Sequence, residues 1–250
     1  MERKLFKKHT VLLIAILVFF PLCLNALTLG QAINLAILNR TDQNLQTNEI
    51  TLTVSKKYYN YFLTYNNYQL LTSLQKKIQE RNKSMEPLVQ AGLRSKNDLL
   101  TMQVYALENQ RKVDEAQIQY LNARVELMIE LGVYDENLIT PPEKQPFSLK
   151  RLESLPPIER LKVDPQDVEK ITYVKNLAAT IDIYKKSVQK ADELLNLQKK
   201  LYESEQKRFN DGLITVDELR AQDEKYIAAE KSYYQVLVNY LLSVLEYKNS

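Results

Sequence analysis

An internal repeat constrains the fold more than any other feature of this sequence. Residues 91–99 and 211–219 match, and their glycines, Gly92 and Gly212, stand 120 residues apart. Each glycine suits the end of a helix, because glycine takes the left-handed conformation at little steric cost. The chain has only 4 glycines, which is few for a fold with many tight β-turns. The repeat therefore predicts two equivalent turns in a mainly helical chain.

A hydroxyl residue and an acid follow each glycine at the same spacing. Ser95 and Asp98 follow the first glycine, and Thr215 and Glu218 follow the second. A hydroxyl residue with an acid three positions later resembles a capping box, which begins a new helix. Each copy of the repeat thus predicts the tight turn of a helical hairpin.

Apolar residues recur every seven positions on both sides of these turns, which is the pattern of helices packed as a coiled coil. Arg81 and Asp114 interrupt the pattern around the first turn, as register breaks would. At about 1.5 Å per residue, arms of about 40 residues would be roughly 60 Å long. The packing positions predicted around the second turn are Val174, Ile181, Val188, Leu195, Tyr202, Phe209, Leu219, Tyr226, Tyr233, Tyr240 and Tyr247. Those predicted around the first turn are Leu71, Leu74, Ile78, Met85, Leu88, Ile118, Leu121, Val125, Met128 and Leu131.

The sequence therefore predicts an all-α chain with two long antiparallel coiled-coil hairpins in tandem. The first hairpin repeat covers residues 27–132 and the second covers residues 168–250. A proline-rich linker at 133–167 separates them, since proline lacks the amide hydrogen that a continuous helix needs. One short helix is expected in this linker, near residues 147–155.

Residues 1–26 are typical of a secretory signal. A basic start precedes an apolar run from Val11 to Leu24, and Ala26 offers a small residue for cleavage. The run is shorter than the roughly 20 residues of a membrane-spanning helix. An uncleaved N-terminal anchor is the alternative, and lipid attachment at Cys23 is disfavoured by the bulky Leu22 before it. The formal charge of +3 comes from this segment, so the chain after cleavage is neutral.

The only histidine and the only cysteine, His9 and Cys23, both lie in this segment. The exported chain would therefore lack the usual nitrogen and sulfur ligands of metals, as well as histidine bases and thiol nucleophiles. Its carboxylates are scattered through helical patterns with lysine, where a solvated face explains them. We expect no enzyme activity, no cofactor and no metal. The absence of a basic run argues against nucleic-acid binding.

The start of the exported chain also has a helical pattern. Thr28 and Gln31 form a further capping-box spacing ahead of a short apolar helix. Residues 50–55 alternate like a strand, yet they also continue the apolar spacing of the next helix, so the helical interpretation is favoured over the strand. The cluster of tyrosines that follows is expected to be a helix-packing surface and not a ligand-stacking site; it comprises Tyr58, Tyr59, Tyr61, Tyr65 and Tyr68.

Four segments together resemble the outer-membrane efflux protein family, the TolC-like channel components of bacterial export systems. Residues 27–36 are similar to the opening helix of that family, and residues 58–63 resemble its aromatic helix start. Residues 209–219 resemble the hairpin tip of its second repeat, and residues 233–245 resemble its terminal helix. The resemblance depends on the order, spacing and duplication of these segments, and it covers most of the chain after residue 26.

The resemblance implies a fold and a set of partners. In the family, three copies assemble a tube whose helical barrel stands in the periplasm below the outer membrane. The glycine turns would form tips that meet a periplasmic adaptor and an inner-membrane efflux pump. Asp98 and Glu218 correspond by position to carboxylates near the tube entrance, although Thr101 and Ala221 replace a second acid of the family. The adaptor-docking residues carried over to this chain are Gly92, Leu93, Ser95, Gly212, Leu213 and Thr215.

The largest departure of the sequence from the family concerns the membrane. Each family repeat also contains a two-strand membrane hairpin, and this sequence shows no alternating segment of the required 9 to 11 residues or so. We therefore expect the coiled-coil part of a TolC-like export conduit, without chemistry of its own. The alternative is a periplasmic coiled-coil scaffold or adaptor-like protein without channel activity. A gene fragment is a third possibility.

Overall fold

The structure is a computed structural model that describes residues 27–39, 47–135, 139 and 166–250. The predicted signal at 1–26 and the helix predicted near 147–155 lie outside the described residues, as does most of the predicted linker at 133–167. The described residues form five α-helices and no strand: α1 Leu29–Asn39, α2 Thr47–Gln90, α3 Lys96–Leu131, α4 Val168–Asn210 and α5 Val216–Asn249. Helices α2 and α3 pack as hairpin 1, and α4 and α5 pack as hairpin 2. The predicted all-α fold of two tandem hairpins is confirmed.

Helix α1 begins at the predicted capping box. The backbone N–H of Thr28 donates to Gln31 Oε1 at 2.9 Å, and the N–H of Gln31 donates to Thr28 Oγ1 at 3.3 Å. At the other end of the helix, Asn39 Nδ2 donates to the carbonyl of Leu131 at 2.7 Å. Ala32 and Ala36 are fully buried against hairpin 1. The small helix therefore covers the end of hairpin 1 that lies away from its turn.

Residues 50–55 are helical, so the helical interpretation of this segment is confirmed. Helix α2 also continues through Pro87 into its last turn. Pro87 has no N–H to donate to the carbonyl of Lys83, but both residues are exposed, so water can satisfy that carbonyl. The tyrosines near the start of α2 pack as expected: Tyr58, Tyr59 and Tyr61 are buried.

Hairpin 2 packs along the predicted seven-residue repeat. Val174, Ile181 and Val188 on α4 are buried in one cluster with Tyr233, Tyr240 and Tyr247 on α5. Tyr202 stacks on Tyr226 nearer the turn, with ring centroids 4.8 Å apart. The heptad positions of both helices thus form the seam of this hairpin, as the sequence predicted.

Three of the five packing positions predicted for the second half of α3 are wrong, whereas Met128 and Leu131 pack in the core as predicted. Ile118, Leu121 and Val125 are 59%, 42% and 53% exposed. The seam is formed instead by smaller residues together with Leu127, because large tyrosines of α2 face this side and small residues make room for them. Tyr120 on this face stacks with Tyr61 and Tyr68 of α2 at 5.6 and 5.8 Å. The buried residues here are Val113, Ala116, Ala123, Leu127 and Leu131.

The two hairpins meet mainly through α2 and α5, with fewer contacts between α3 and α5, so α3 and α4 lie at the edges of the four long helices. Each edge helix presents an exposed apolar row. The α3 stripe consists of Leu100, Val104, Leu107, Ile118, Leu121 and Val125. The α4 stripe consists of Ile183, Leu194, Leu197 and Leu201. Asp114 interrupts the α3 stripe and not the buried seam. None of the described helices combines the length and the apolar character needed to cross a lipid bilayer.

Candidate docking tips and the polar cluster behind them

The turn of hairpin 1 is a glycine-terminated helix end. The N–H of Leu93 donates to the carbonyl of Leu88 at 2.8 Å, and the N–H of Gly92 donates to that of Val89 at 3.0 Å. These two bonds are the Schellman motif, which requires a left-handed residue after the helix. Gly92 supplies it with a φ of 70°. The glycine is therefore needed for its backbone conformation, as the repeat predicted.

The next helix begins at once with a complete capping box. The N–H of Asp98 donates to Ser95 Oγ at 3.0 Å, and the N–H of Ser95 donates to Asp98 Oδ2 at 3.2 Å. These bonds satisfy two of the N–H groups that a helix start leaves without partners. Aspartate serves here despite its shorter side chain.

The turn of hairpin 2 has the same construction. Gly212 has a φ of 77°, and the N–H of Leu213 donates to the carbonyl of Arg208 at 2.8 Å. The N–H of Thr215 donates to Glu218 Oε2 at 2.8 Å, and the N–H of Glu218 donates to Thr215 Oγ1 at 3.2 Å. The backbone N–H and hydroxyl of Thr215 lower the pKa of the Glu218 carboxyl. The two turns are thus structural repeats of one another.

The two turns lie side by side, and each presents a leucine to solvent. Leu93 and Leu213 occupy the same position of the motif and are 72% and 67% exposed. A large apolar side chain this exposed at the same place in both repeats is a candidate contact for a partner. We call the segments 91–95 and 211–215 the tips. They contain all six docking residues that the resemblance implied.

Asp98 and Glu218, the residues placed by resemblance near a tube entrance, lie one turn into α3 and α5. Both carboxylates accept hydrogen bonds from the backbone of their own cap. Each acid therefore has a structural role in capping its helix, and this role accounts for its presence. An additional role at an entrance remains a prediction.

Arg94 joins the two tips, which the sequence pattern did not predict. Its Nη2 donates to the carbonyl of Phe209 at 2.6 Å and its Nη1 donates to that of Ile214 at 3.3 Å. The guanidinium also lies over the Phe209 ring, 4.8 Å from the centroid. The available signal was a departure from the repeat, since Arg94 and Ile214 hold equivalent positions.

Behind the tips, apolar residues of both hairpins form one cluster. Leu74, Ile78, Met85 and Met102 of hairpin 1 are buried in it. Hairpin 2 contributes Phe209, Ile214, Val216 and Leu219. Ile214 is therefore a core residue, whereas the equivalent Arg94 is half-buried between the tips. The cluster and Arg94 together hold the tips in one arrangement.

A buried ion pair crosses the same junction. Arg81 Nη1 on α2 donates to Asp223 Oδ2 on α5 at 2.7 Å, with side chains 12% and 0% exposed. The Tyr105 hydroxyl on α3 donates to the same oxygen at 3.1 Å. Burial raises the pKa of the Asp223 carboxyl, and the guanidinium opposes that shift. Arg81 is thus not a register break but the partner of an acid in the other hairpin.

Further polar contacts surround this pair. Lys77 Nζ donates to the Tyr202 hydroxyl at 2.9 Å, so α2 also contacts α4. Arg220 and Lys112 each form a salt bridge between α3 and α5, with Glu108 at 2.8 Å and Glu224 at 3.1 Å respectively. These outer pairs are partly exposed and each contributes roughly 0 to 1 kcal/mol. A cavity of about 30 Å³ lies beside Asp223, which is far too small for an organic ligand.

The described residues provide no metal centre, because no three of their His, Cys, Asp or Glu side chains are grouped closely enough to hold an ion. Their perturbed groups are mostly buried tyrosines. Burial and the nearby Asp223 charge raise the pKa of Tyr105, for example. The most deeply buried of these tyrosines, Tyr61 and Tyr105, lie in the packed interior of the fold.

The folded chain superposes on solved outer-membrane proteins. It matches the CmeC outer membrane channel of Campylobacter jejuni with a TM-score of 0.63 at 11% identity, over 88% of this chain and 66% of that one. It matches CusC, a protein that forms a transmembrane channel, with a TM-score of 0.62 at 10% identity, over 87% of this chain and 71% of that one. It matches the outer membrane protein VceC of Vibrio cholerae with a TM-score of 0.61 at 8% identity, over 89% of this chain and 74% of that one.

This chain shares their fold. At such low identity the comparison establishes the architecture alone, which is the helical part of TolC-like channels. The chain spans less than two thirds of the length of CmeC, at 66%. No protein-family profile matches the sequence, and no curated protein does.

Proposed function

We propose that the chain is the helical conduit of an outer-membrane export channel of the TolC-like class, built from several copies of itself. The exposed α3 and α4 stripes carry this proposal. Each lies on an edge helix at the spacing of a helix–helix seam, and contiguous exposed apolar surface of this kind marks an interface. If α3 of one copy packs against α4 of the next copy, both stripes become buried. The shared fold with outer-membrane channels supports a tube as the product.

In this proposal the tips are the docking end of the conduit. Leu93 and Leu213 would contact a periplasmic adaptor, and an inner-membrane pump would supply the energy for transport. The exposure of both leucines and their fixed positions on Schellman turns support this role. The conduit itself would give the exported substrate a path through the periplasm and would catalyse no reaction. Its location would be the periplasm, in association with the outer membrane.

Envelope fractionation with site-specific photocross-linking tests the proposal. A photoreactive amino acid replaces Leu213 in the full chain, and the matched control carries it at the exposed Lys199, away from the tips. We expect an outer-membrane-associated oligomer, and a cross-link from position 213 alone to a protein identified by mass spectrometry as a periplasmic adaptor. A monomer recovered only from the soluble periplasm, with no adaptor cross-link, would favour the scaffold alternative.

A further inference from the structure

Four tyrosine rings meet on one face of hairpin 1. Tyr61, Tyr65 and Tyr68 lie on α2, on the side that faces α3, and Tyr120 lies opposite them on α3. The centroid of the Tyr120 ring is 5.6 Å from that of Tyr61, 5.2 Å from that of Tyr65 and 5.8 Å from that of Tyr68. One ring of α3 therefore contacts three phenols of the other helix.

The Tyr120 ring is held between two of these neighbours. Tyr61 and Tyr68 are seven positions apart in the sequence, so they stand about 10 Å apart along the axis of α2. Tyr120 is inclined to their rings by only 23° and 3°, and it lies at nearly the same distance from each. Tyr61 is fully buried and anchors one side of this stack. The stack therefore fixes the edge of the Tyr120 ring relative to Tyr65.

The pair of Tyr65 and Tyr120 differs from the stacked pairs in orientation. Its ring planes are inclined by 50° at a centroid distance of 5.2 Å. A carbon–carbon bond between two aromatic rings joins them edge to edge with a twist between their planes, which parallel stacked rings reach only by turning. Both side chains are half-buried, so each phenol is open to solvent on one side. This pair thus has the orientation and the access that oxidative coupling of two phenols needs.

A disulfide cannot take the place of such a link in the part of the chain that follows the predicted signal. The only cysteine is Cys23, and the chain has no tryptophan. Residues 27–250 therefore contain no pair of thiols, although an exported chain enters an oxidising compartment. Tyrosine is the abundant oxidisable side chain here, with 16 in the whole sequence. A covalent link between the helices would have to be made by phenols.

We propose that Tyr65 and Tyr120 are a site of oxidative modification, at which a dityrosine bond joins α2 to α3 within one chain. The oxidant is hydrogen peroxide acting through a peroxidase-type haem catalyst, which removes electrons one at a time. The site goes beyond the proposed function, because it depends on the fold of hairpin 1 and not on assembly of a conduit.

The coupling consumes one hydrogen peroxide for each bond. Burial raises the pKa of the Tyr65 phenol, so its hydroxyl keeps its proton at neutral pH until the electron leaves. Each phenol gives up one electron and its hydroxyl proton, and the two radicals combine through the ring carbons next to the phenol carbon. The protons on those ring carbons then move to the phenol oxygens, which restores both hydroxyl groups. In total two electrons and two protons leave the pair, and they reduce the peroxide to two molecules of water.

A second pair of tyrosines provides a comparison within the chain. The rings of Tyr202 on α4 and Tyr226 on α5 have centroids 4.8 Å apart and are inclined by only 20°. Tyr202 is buried, and its hydroxyl accepts a hydrogen bond from Lys77. These rings are closer than those of Tyr65 and Tyr120, but they are nearly parallel and less accessible. Distance alone would favour coupling of the second pair, whereas orientation and access favour the first.

Peroxidase treatment of the full chain, followed by trypsin digestion and mass spectrometry, tests the site. Trypsin releases Tyr65 within residues 58–76 and Tyr120 within residues 113–124. We expect these two peptides to be joined with the loss of two hydrogen atoms, together with the fluorescence of dityrosine. Tyr65→Phe and Tyr120→Phe should each lower the joined peptide about tenfold or more, because only a positioned pair reacts at a high effective concentration. Tyr68→Phe is the matched control and should leave the amount unchanged, since phenylalanine keeps the stacked ring.

A mixture of heavy-nitrogen-labelled and unlabelled chain shows whether the bond lies within one copy. Joined peptides that carry one label each would place the bond between copies and overturn the proposal. It would also be overturned by an undiminished joined peptide in Tyr65→Phe, by equal coupling of Tyr202 with Tyr226, or by no joined peptide in the unsubstituted chain. Circular dichroism before oxidation checks that each variant keeps its helices.

Urea unfolding supplies a second measurement. A bond between positions 65 and 120 limits the unfolded chain in the way that a disulfide does, so the oxidised chain should unfold at a higher urea concentration than the untreated chain. Oxidised Tyr65→Phe should show no such shift. The same shift in this variant would mean that another oxidation product stabilises the fold, and it would count against the site.

Discussion

Replacing Arg81 with methionine would leave the Asp223 carboxylate buried without its counter-charge. That carboxylate is 0% exposed, and its remaining protein contact would be the hydroxyl of Tyr105 at 3.1 Å. Removing one partner of a buried ion pair is destabilising by about 3 to 5 kcal/mol. The neighbouring cavity of about 30 Å³ can admit a water molecule, which places the expected loss near the lower end. We therefore expect Arg81→Met to lose about 3 kcal/mol of unfolding free energy at neutral pH.

Urea unfolding followed by circular dichroism measures this loss, with all variants at the same protein concentration because assembly shifts apparent stability. Arg111→Met is the matched control. Arg111 also pairs with a carboxylate, that of Glu115, but the two side chains are 69% and 55% exposed. Such a pair within one helix is worth about 0.5 kcal/mol or less. The difference between the two methionine variants isolates the effect of burial.

The loss should also depend on pH in a defined direction. Burial already raises the pKa of Asp223, and removing the cation raises it further. A carboxyl with a raised pKa in the fold disfavours folding once it is ionised, so the penalty grows as pH rises through the folded-state pKa. It disappears as pH falls below the ordinary value of about 3.9. The deficit of Arg81→Met relative to the unsubstituted chain should therefore shrink on acidification.

Two results would refute this reasoning. The first is a loss at neutral pH no larger than that of Arg111→Met. The second is a deficit that stays constant as the pH is lowered. The double variant Arg81→Met with Asp223→Leu adds an independent check, because replacing a buried pair by apolar residues is often neutral or stabilising. It should recover most of the stability lost by the single variant.

Three further predictions concern the turns and the buried tyrosines. Gly92→Ala should lose about 1 kcal/mol of unfolding free energy because of the positive φ at this position; a steric clash does not contribute, since no atom lies within 4 Å of the added carbon. The control Gly30→Ala in α1 should lose none. Equal urea midpoints for the two variants would contradict this explanation. Thr215→Ala should lose about 1 kcal/mol in the same assay through its capping box, and an unchanged value would show that the box is dispensable. Burial raises the pKa of Tyr58 to about 12, so the stability that the neutral phenol provides is present below its ordinary pKa of about 10 and is lost as pH rises toward 12. Circular dichroism and phenolate absorbance should change together there, and ionisation of this tyrosine near pH 10 with intact helices would contradict the burial argument.

The turns were predictable from the sequence because their causes are local. A left-handed glycine and a cap three residues apart fix the backbone whatever the rest of the chain does, so Gly92 with Ser95 and Gly212 with Thr215 identified both tips. The seam of hairpin 2 was predictable because α4 and α5 each carry one dominant apolar row. Helix α3 carries two rows, and the one with larger side chains faces outward. Periodicity alone cannot rank two rows of the same period.

The residues that join the hairpins were not predictable for a different reason. Arg94 and Arg81 act on groups more than 100 positions away, Phe209 and Asp223, and their partners depend on which faces of the hairpins meet. A single charged residue within an apolar pattern is equally compatible with a register break, a solvated position or a buried pair. Only the folded arrangement distinguishes these. The internal repeat contained a partial signal, since each arginine replaces an apolar residue at the equivalent position of hairpin 2.

That replacement also fits the proposed assembly, in which α3 of one copy packs on α4 of another. Inside one chain the partners are always present at high effective concentration, so a buried ion pair can fix the register even if it adds little net stability. Copies of a chain must instead gain free energy from associating, and apolar burial supplies roughly 25 cal/mol per Å². Leu197 and Leu201 on α4, in place of Lys77 and Arg81 on α2, follow this division. Exchanging the residues between helices should therefore weaken assembly more than it weakens the fold of the single chain.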